Sequence, residues 1–229
     1  MIELWEATVH APDGAVLVHP VTATLTERRV AVVGANGSGK STLLRLLNGL
    51  LLPTSGSVRV HGRDTATDGP AVRRDVGFVF TDPEAQILMP TPREDVALSL
   101  RGRVRRKADD DAALAVLERF GLAAHADRSA HGLSAGQKQL LALASVLATG
   151  PRVLVCDEPT TLLDLRWRTH VDRLLADLDA QVVTATHDLD AARRADRVLV
   201  VDDGHVVHDG DPDAGVDLYV ARMTAGKLR

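Results

Sequence analysis

Nine consecutive residues, Gly34-Ala35-Asn36-Gly37-Ser38-Gly39-Lys40-Ser41-Thr42, combine bare backbone, a lysine and two adjacent hydroxyls in the order G-x-x-x-x-G-K-[ST]. Glycines let successive N–H groups turn inward around an anion, and a helix that starts at the lysine adds the positive end of its dipole. Such a segment holds a polyphosphate: the backbone of Gly34, Asn36, Gly37, Ser38 and Gly39 wraps it, and Lys40 neutralises its β- and γ-phosphates. The Ser41 hydroxyl is expected to ligate Mg²⁺ and Thr42 to help hold the α/β-phosphate region, so the expected ligand is ATP with Mg²⁺. A second segment, Val153-Leu154-Val155-Cys156-Asp157-Glu158, is an apolar run that ends in two acids. Alone, an Asp-Glu pair at a strand end is more often turn chemistry facing solvent. Combined with the phosphate loop, it places Asp157 at the Mg²⁺ shell and Glu158 beside an attacking water.

These residues need elements to position them. Strands are expected at Ile2 to Val9, at Val16 to Leu25 after a Pro12-Asp13-Gly14 turn, and at Arg29 to Val33, which delivers Gly34. A leucine-rich helix from Lys40 to Leu47 comes next, with Gly49 as its stop. Val58 to Val60 and Val76 to Phe80 read as strands joined by a polar Gly/Asp/Thr-rich connection. Thr91, Pro92 and Glu94 form a capping-box pattern that opens a mainly helical insert. The insert continues through Ala108 to Phe120, and Ser134 caps an apolar helix reaching about Leu147. Beyond it, β-branched runs at Val153 to Cys156, Val182 to Ala185 and Val198 to Val201 alternate with helical patterns at Leu165 to Leu178 and Leu189 to Arg194. That alternation predicts a parallel, doubly wound α/β sheet. Asp203-Gly204 sets up a closing hairpin, and the residues beyond Gly210 are too few for another domain.

Composition narrows the function classes. With 229 residues, 45% hydrophobic and 25% charged, the chain can bury one substantial core. A net charge of −4 gives no overall attraction to nucleic acid or anionic lipid. The basic run Arg101 to Lys107 precedes Asp109-Asp110-Asp111 and reads as a solvated linker. The single cysteine, Cys156, cannot form an intrachain disulfide, and its apolar neighbours suggest a buried strand. Met1 to Val9 carries Glu3 and Glu6 and does not read as a secretion signal. The most apolar stretch, Leu140 to Ala148, is about half the roughly 20 residues that cross a bilayer. The expected place is the cytoplasm, with any membrane role exercised through a partner.

Further motifs make the resemblance specific. Leu133-Ser134-Ala135-Gly136-Gln137 opens a helix about 20 residues before the acid pair, and resembles the signature motif of ATP-binding-cassette (ABC) ATPases. A serine and a glycine at a helix start offer N–H groups and a hydroxyl to an anion. Downstream, EPTTLLD puts Asp164 in the position of the family's D-loop, and TATHD puts His187 at the switch-histidine position. The resemblance covers essentially the whole chain. It implies one ABC ATP-binding domain over residues 1–229, a P-loop NTPase with a parallel-sheet core and an amino-terminal antiparallel β-subdomain (1–89 and 151–229), with a helical signature subdomain at 90–150. It also implies a head-to-tail dimer in which Ser134, Gly136 and Gln137 face the γ-phosphate held by the other subunit.

Certain positions depart from the family pattern. The aromatic residue that stacks on adenine is replaced by Ala11 in Ala11-Pro12-Asp13-Gly14, which leaves stacking weak or borrowed from His10. The Q-loop glutamine is replaced by Thr81, and Gln86 lies five residues further on. Leu140 stands where an arginine often comes after the signature. The stretch FVFTDPEAQILMPTPREDVAL nonetheless resembles energy-coupling-factor (ECF) and cobalt-type importer ATPases, and LSAGQKQLLALASVLA with DEPTTLLDLR resembles the biotin type. The resemblance implies an ATPase, dimeric and peripheral on the cytoplasmic face of the membrane, under a transmembrane coupling protein and a substrate-binding membrane protein. Its cargo would be a vitamin such as biotin, or cobalt or nickel. Other readings are the ATPase of another ABC transporter class, a regulatory subunit without turnover, and a soluble ABC protein acting on DNA or the ribosome. The last expects an inserted coiled coil or a second cassette, and the chain shows neither.

Overall fold

Buried positions along the first strand set the first sheet. In β1 (Ile2–His10) Ile2, Leu4, Ala7 and Val9 are buried. It pairs antiparallel with β2 (Val16–Leu25) on one side and β4 (Ser55–Val60) on the other, and the short β5 (Arg63–Asp64) completes the order β2-β1-β4-β5. This is the expected antiparallel β-subdomain. The computed structural model describes residues 1–100 and 109–225. The linker expected at Arg101 to Lys107 and the helix start at Ala108 lie outside the described residues.

The central strand β3 (Arg29–Val33) is apolar throughout after Arg29, as a strand covered on both faces requires. It lies parallel between β8 (Gln181–Ala185) and β9 (Arg197–Asp202), and β7 (Val153–Asp157) lies parallel beside β8. β10 (His205–Gly210) closes the edge antiparallel to β9 through the Asp203-Gly204 turn. Helix α1 (Lys40–Leu46) contacts β7 and β8. Elsewhere Ala31, Val33, Val198 and Val200 form a core with Ala192 of α7 (Leu189–Arg193) and Val216 of α8 (Pro212–Ala225). The α/β expectation holds, and most strand ends fall within two residues of those read from the sequence.

Two helices were not expected. The polar connection before β6 (Val76–Val79) contains α2 (Gly69–Asp75), because Pro70 suits a first helical turn and Val72 supplies a buried anchor. The tail beyond Gly210 folds as α8: Pro212 opens it, the Asp211 carboxylate accepts the Ala214 N–H at 2.9 Å, and Val216 is buried.

The chain divides into two compact units. The first comprises Met1–Val76, Arg152–Glu158 and the residues from Asp179 onward; the second comprises Gly77–Pro151 and Pro159–Leu178. The second unit begins at Gly77, inside β6, and includes α6 (Leu165–Asp177). Its other helices are α3 (Pro92–Leu100), α4 (Asp109–Arg119) and α5 (Ala135–Ala148). The expected capping box of α3 is present: Thr91 Oγ1 accepts the Glu94 N–H at 3.3 Å and Glu94 Oε2 accepts the Thr91 N–H at 3.2 Å. No helix among the described residues is long and apolar enough to cross a membrane.

Candidate functional site

In the first unit, β3 runs into Gly34 and α1 starts at Lys40, so Gly34 to Gly39 form the strand-to-helix loop. The loop lies against two other segments. A Cβ on Gly34 would overlap the Val201 carbonyl oxygen; Gly39, at φ 103, would place one 2.9 Å from the Leu17 carbonyl oxygen. Neither position admits a side chain. The Gly204 N–H donates to the Ser38 carbonyl at 2.8 Å, and the His19 N–H donates to the Gly204 carbonyl at 2.9 Å. The β9–β10 turn thereby buttresses the loop, with the rings of His19 and His205 stacked 3.5 Å apart beside it. Sequence reasoning saw the Asp203-Gly204 turn but not this contact.

Lys40 is 5% exposed, and its Nζ donates to the carbonyls of Gly34 and Ala35, both at 2.9 Å. Burial lowers its pKa, while the nearby charges of Glu158 and Asp157 raise it. Ser38 Oγ is buried without a hydrogen-bond partner, at a cost of about 1–3 kcal/mol that an anion in the loop would offset. Asn36 and Gly37 are exposed on the loop; Ser41 and Thr42 are half-buried in the first turn of α1.

Asp157 ends β7 at 4% exposure. Glu158 comes next with φ 55, a left-handed conformation that costs a non-glycine residue roughly 1–2 kcal/mol. Its N–H still donates to the Ala185 carbonyl at 3.0 Å. Just past Ala185, the Thr186 N–H donates to the Val32 carbonyl at 3.1 Å, and Asp188 caps α7 by accepting the Ala191 N–H at 3.1 Å. His187, held between these anchors, brings Nε2 to 2.8 Å from Glu158 Oε1. The structure thus assembles Lys40, Asp157, Glu158 and His187 within the first unit. Burial also pushes the thiol of Cys156, one residue before Asp157, far above its ordinary range.

The second unit carries the signature. Ser134 Oγ accepts the Gln137 N–H at 3.3 Å, and Gln137 Oε1 accepts the Ser134 N–H at 2.9 Å, a reciprocal capping box. Asp164 caps α6 by accepting the Trp167 N–H at 2.9 Å. Ser134, Gly136, Gln137 and Asp164 line one cleft of about 500 Å³ together with Leu162 and Leu163.

The departures gain physical content. Gln86 Oε1 accepts the Phe80 N–H at 2.9 Å, and its Nε2 donates to the Phe78 carbonyl at 2.8 Å. Both ends of that amide extend β6, so Gln86 serves as a backbone clamp, while Thr81 is exposed. Leu140 is a buried core residue of α5, which accounts for the apolar choice there. His10 is exposed, with Nδ1 2.9 Å from Thr54 Oγ1.

A phosphate loop at a parallel strand–helix junction, with an acid pair closing the strand β7, defines a P-loop nucleoside triphosphatase. The chain matches the ABC transporter family over residues 19–161 and belongs to that family. It is 48% identical to the biotin transport ATP-binding protein BioM of Rhizobium etli over 195 residues, 85% of this chain and 87% of that protein. Among solved structures it resembles the ATP-binding cassette MJ0796 in a dimeric post-hydrolysis state bound to ADP and Pi, with TM-score 0.83 and 30% identity over 93% of this chain and 99% of that one. It also resembles cbiO1 of Clostridium perfringens, part of the ABC transporter complex cbiONQ, with TM-score 0.79 and 28% identity over 99% and 95% of the two chains. The protein is the ATP-binding, ATP-hydrolysing subunit of an ABC transporter.

Proposed function

We propose that this ATPase powers an ECF-type importer for a micronutrient, with biotin the favoured cargo over cobalt or nickel. The observation that carries the cargo is the 48% identity to a biotin transport ATP-binding protein across 85% of the chain. Cobalt or nickel keeps its place through the resemblance of FVFTDPEAQILMPTPREDVAL to cobalt-type importer ATPases. Two ATPase subunits, identical or paired with a second kind, would sit on the cytoplasmic face of the membrane beneath a transmembrane coupling protein and a substrate-binding membrane protein. The dimeric MJ0796 cassette supports the pairing.

In this reading Gly34 to Gly39 wrap the phosphates of ATP and offer them the buried Ser38 hydroxyl. Lys40 pairs with the β- and γ-phosphates. The Ser41 hydroxyl and the Asp157 carboxylate offer the hard oxygens that would hold Mg²⁺. When bound, Mg²⁺ would supply charge neutralisation at the phosphates. Glu158 orients water and accepts its proton, and His187 hydrogen-bonds the γ-phosphate from its place beside Glu158. Ser134, Gly136 and Gln137 present a helix start to the γ-phosphate held by the second subunit, and Asp164 shapes the adjoining loop. Closure on two ATP molecules drives transport, and hydrolysis reopens the dimer.

The test is uptake of labelled biotin, cobalt and nickel by proteoliposomes containing the chain with the membrane proteins encoded beside it. ATP-dependent biotin uptake that disappears with Glu158→Gln is expected. Uptake of cobalt or nickel in its place would reassign the cargo, and uptake of none of the three would sink the importer reading.

A further inference from the structure

Within the second unit, the segment from Asp82 to Met89 leaves β6 and leads to α3, carrying Leu88 at 73% exposure. A surface connection with a protruding leucine is ordinarily loose. This one is clamped at three places. Gln86 ties its middle to the backbone of Phe78 and Phe80. Glu84 pairs with Lys138 in the first turn of α5. Asp95 of α3, 4% exposed, makes the third clamp. Its Oδ1 accepts the N–H groups of Leu88 at 2.9 Å and Met89 at 3.2 Å, and its Oδ2 accepts the Ser145 hydroxyl at 2.7 Å.

Ser145 lies on α5, the helix whose amino terminus is the Ser134–Gln137 capping box. A hydroxyl in place of Asp95 could cap one amide. Bridging two amides on one side and a helix on the other takes a side chain with two polar ends, and the burial of this carboxylate is tolerable because these bonds satisfy it. We propose that Asp95 is a positioning residue that makes the Asp82–Met89 segment and α5 move as one body. A force applied at Leu88 is then delivered to the signature residues. What applies the force rests on the transporter reading above, as a membrane-embedded partner seated on Leu88; the clamp itself does not.

Two measurements test it. The first needs no partner: hydrogen exchange on the chain alone, comparing wild type with Ser145→Ala, a change that touches neither loop amide. Loss of the α5 arm should speed exchange at Leu88 and Met89 about tenfold. Unchanged exchange there overturns the clamp. The second measures ATP turnover of the chain alone and in the assembled transporter, for Ser145→Ala, Asp95→Ala and Asp95→Asn. The asparagine retains an acceptor for both amides and can donate to Ser145. Partner stimulation should fall about fivefold or more in the two alanine variants, with basal turnover within about twofold of wild type, and Asp95→Asn should recover much of the loss. Parallel loss of basal and stimulated turnover would mean a merely structural role and overturns the proposal. If Asp95→Ala does not fold, Ser145→Ala and Asp95→Asn decide the matter. If wild type shows no stimulation at all, the transporter reading fails, and the exchange measurement still decides the clamp.

Discussion

His187 Nε2 stands 2.8 Å from Glu158 Oε1, and the contact depends on a backbone turn that glutamate adopts at a cost, with φ 55 at the end of β7. Such strain persists where surrounding structure over-determines it. Here the Glu158 N–H remains bonded to Ala185, and α7 starts from an Asp188 cap just past the histidine. The pair is positioned by the ends of two neighbouring parallel strands.

Glu158→Gln keeps the side-chain shape and removes the base. Turnover should drop about 10²- to 10⁴-fold while ATP binding persists. Phosphate release and equilibrium nucleotide binding, measured on the same sample, check this. A variant that turns over like wild type would remove Glu158 from the proton-accepting role.

Lys40 gives a pH signature. Its pKa is lowered by burial, so its ammonium is lost as pH rises through a value below the ordinary 10.5, and ATP affinity should weaken there. Glu158 is one of the two carboxylates that hold the value up. Removing that charge in Glu158→Gln should move the alkaline loss of affinity to lower pH. Affinity profiles that coincide for wild type and variant would contradict the coupling.

Much of this site was legible because it sits where local sequence signals are strongest. The phosphate loop is contiguous, and strand, glycine and helix signals coincide at it; the same holds for the Ser134 cap. The parts that stayed hidden depend on pairings distant in sequence. Nothing local shows that Gly204 bonds to Ser38, or that the Gln86 amide closes onto β6. Helices α2 and α8 were missed because the stretch before β6 reads as a polar Gly/Asp/Thr-rich connection and the residues beyond Gly210 are few, although proline is at home in a first helical turn.

The loop glycines should differ in kind. Gly34→Ala drives a methyl into the Val201 carbonyl and should cost about 2 kcal/mol or more. Gly37, at φ 78 with open space around it, should cost only about 1 kcal/mol on going to alanine. Denaturant titration of the two variants gives the ranking, and equal losses would argue against the packing at Gly34.

Cys156 is fully buried in β7, and burial pushes its thiol up. The native chain should give essentially no reaction with a thiol reagent, and one equivalent should react after denaturation. Rapid labelling of the native protein would contradict the burial of β7.

Ala11→Tyr should tighten ATP binding by stacking worth about 1–3 kcal/mol, and His10→Ala should weaken it if the histidine supplies the present contact. Calorimetric titration measures both. An unchanged affinity for Ala11→Tyr would place adenine elsewhere.

The strand that delivers the phosphate loop has another consequence. β3 ends at Val33, but the strands flanking it, β8 and β9, begin only at Gln181 and Arg197. On the ribosome, this apolar strand must therefore wait without its neighbours while about 150 more residues are made, whereas the helices of the second unit find nearer partners. The nucleotide-binding segment is therefore synthesised well before its native surroundings exist. That interval is when the nascent chain is most exposed to aggregation.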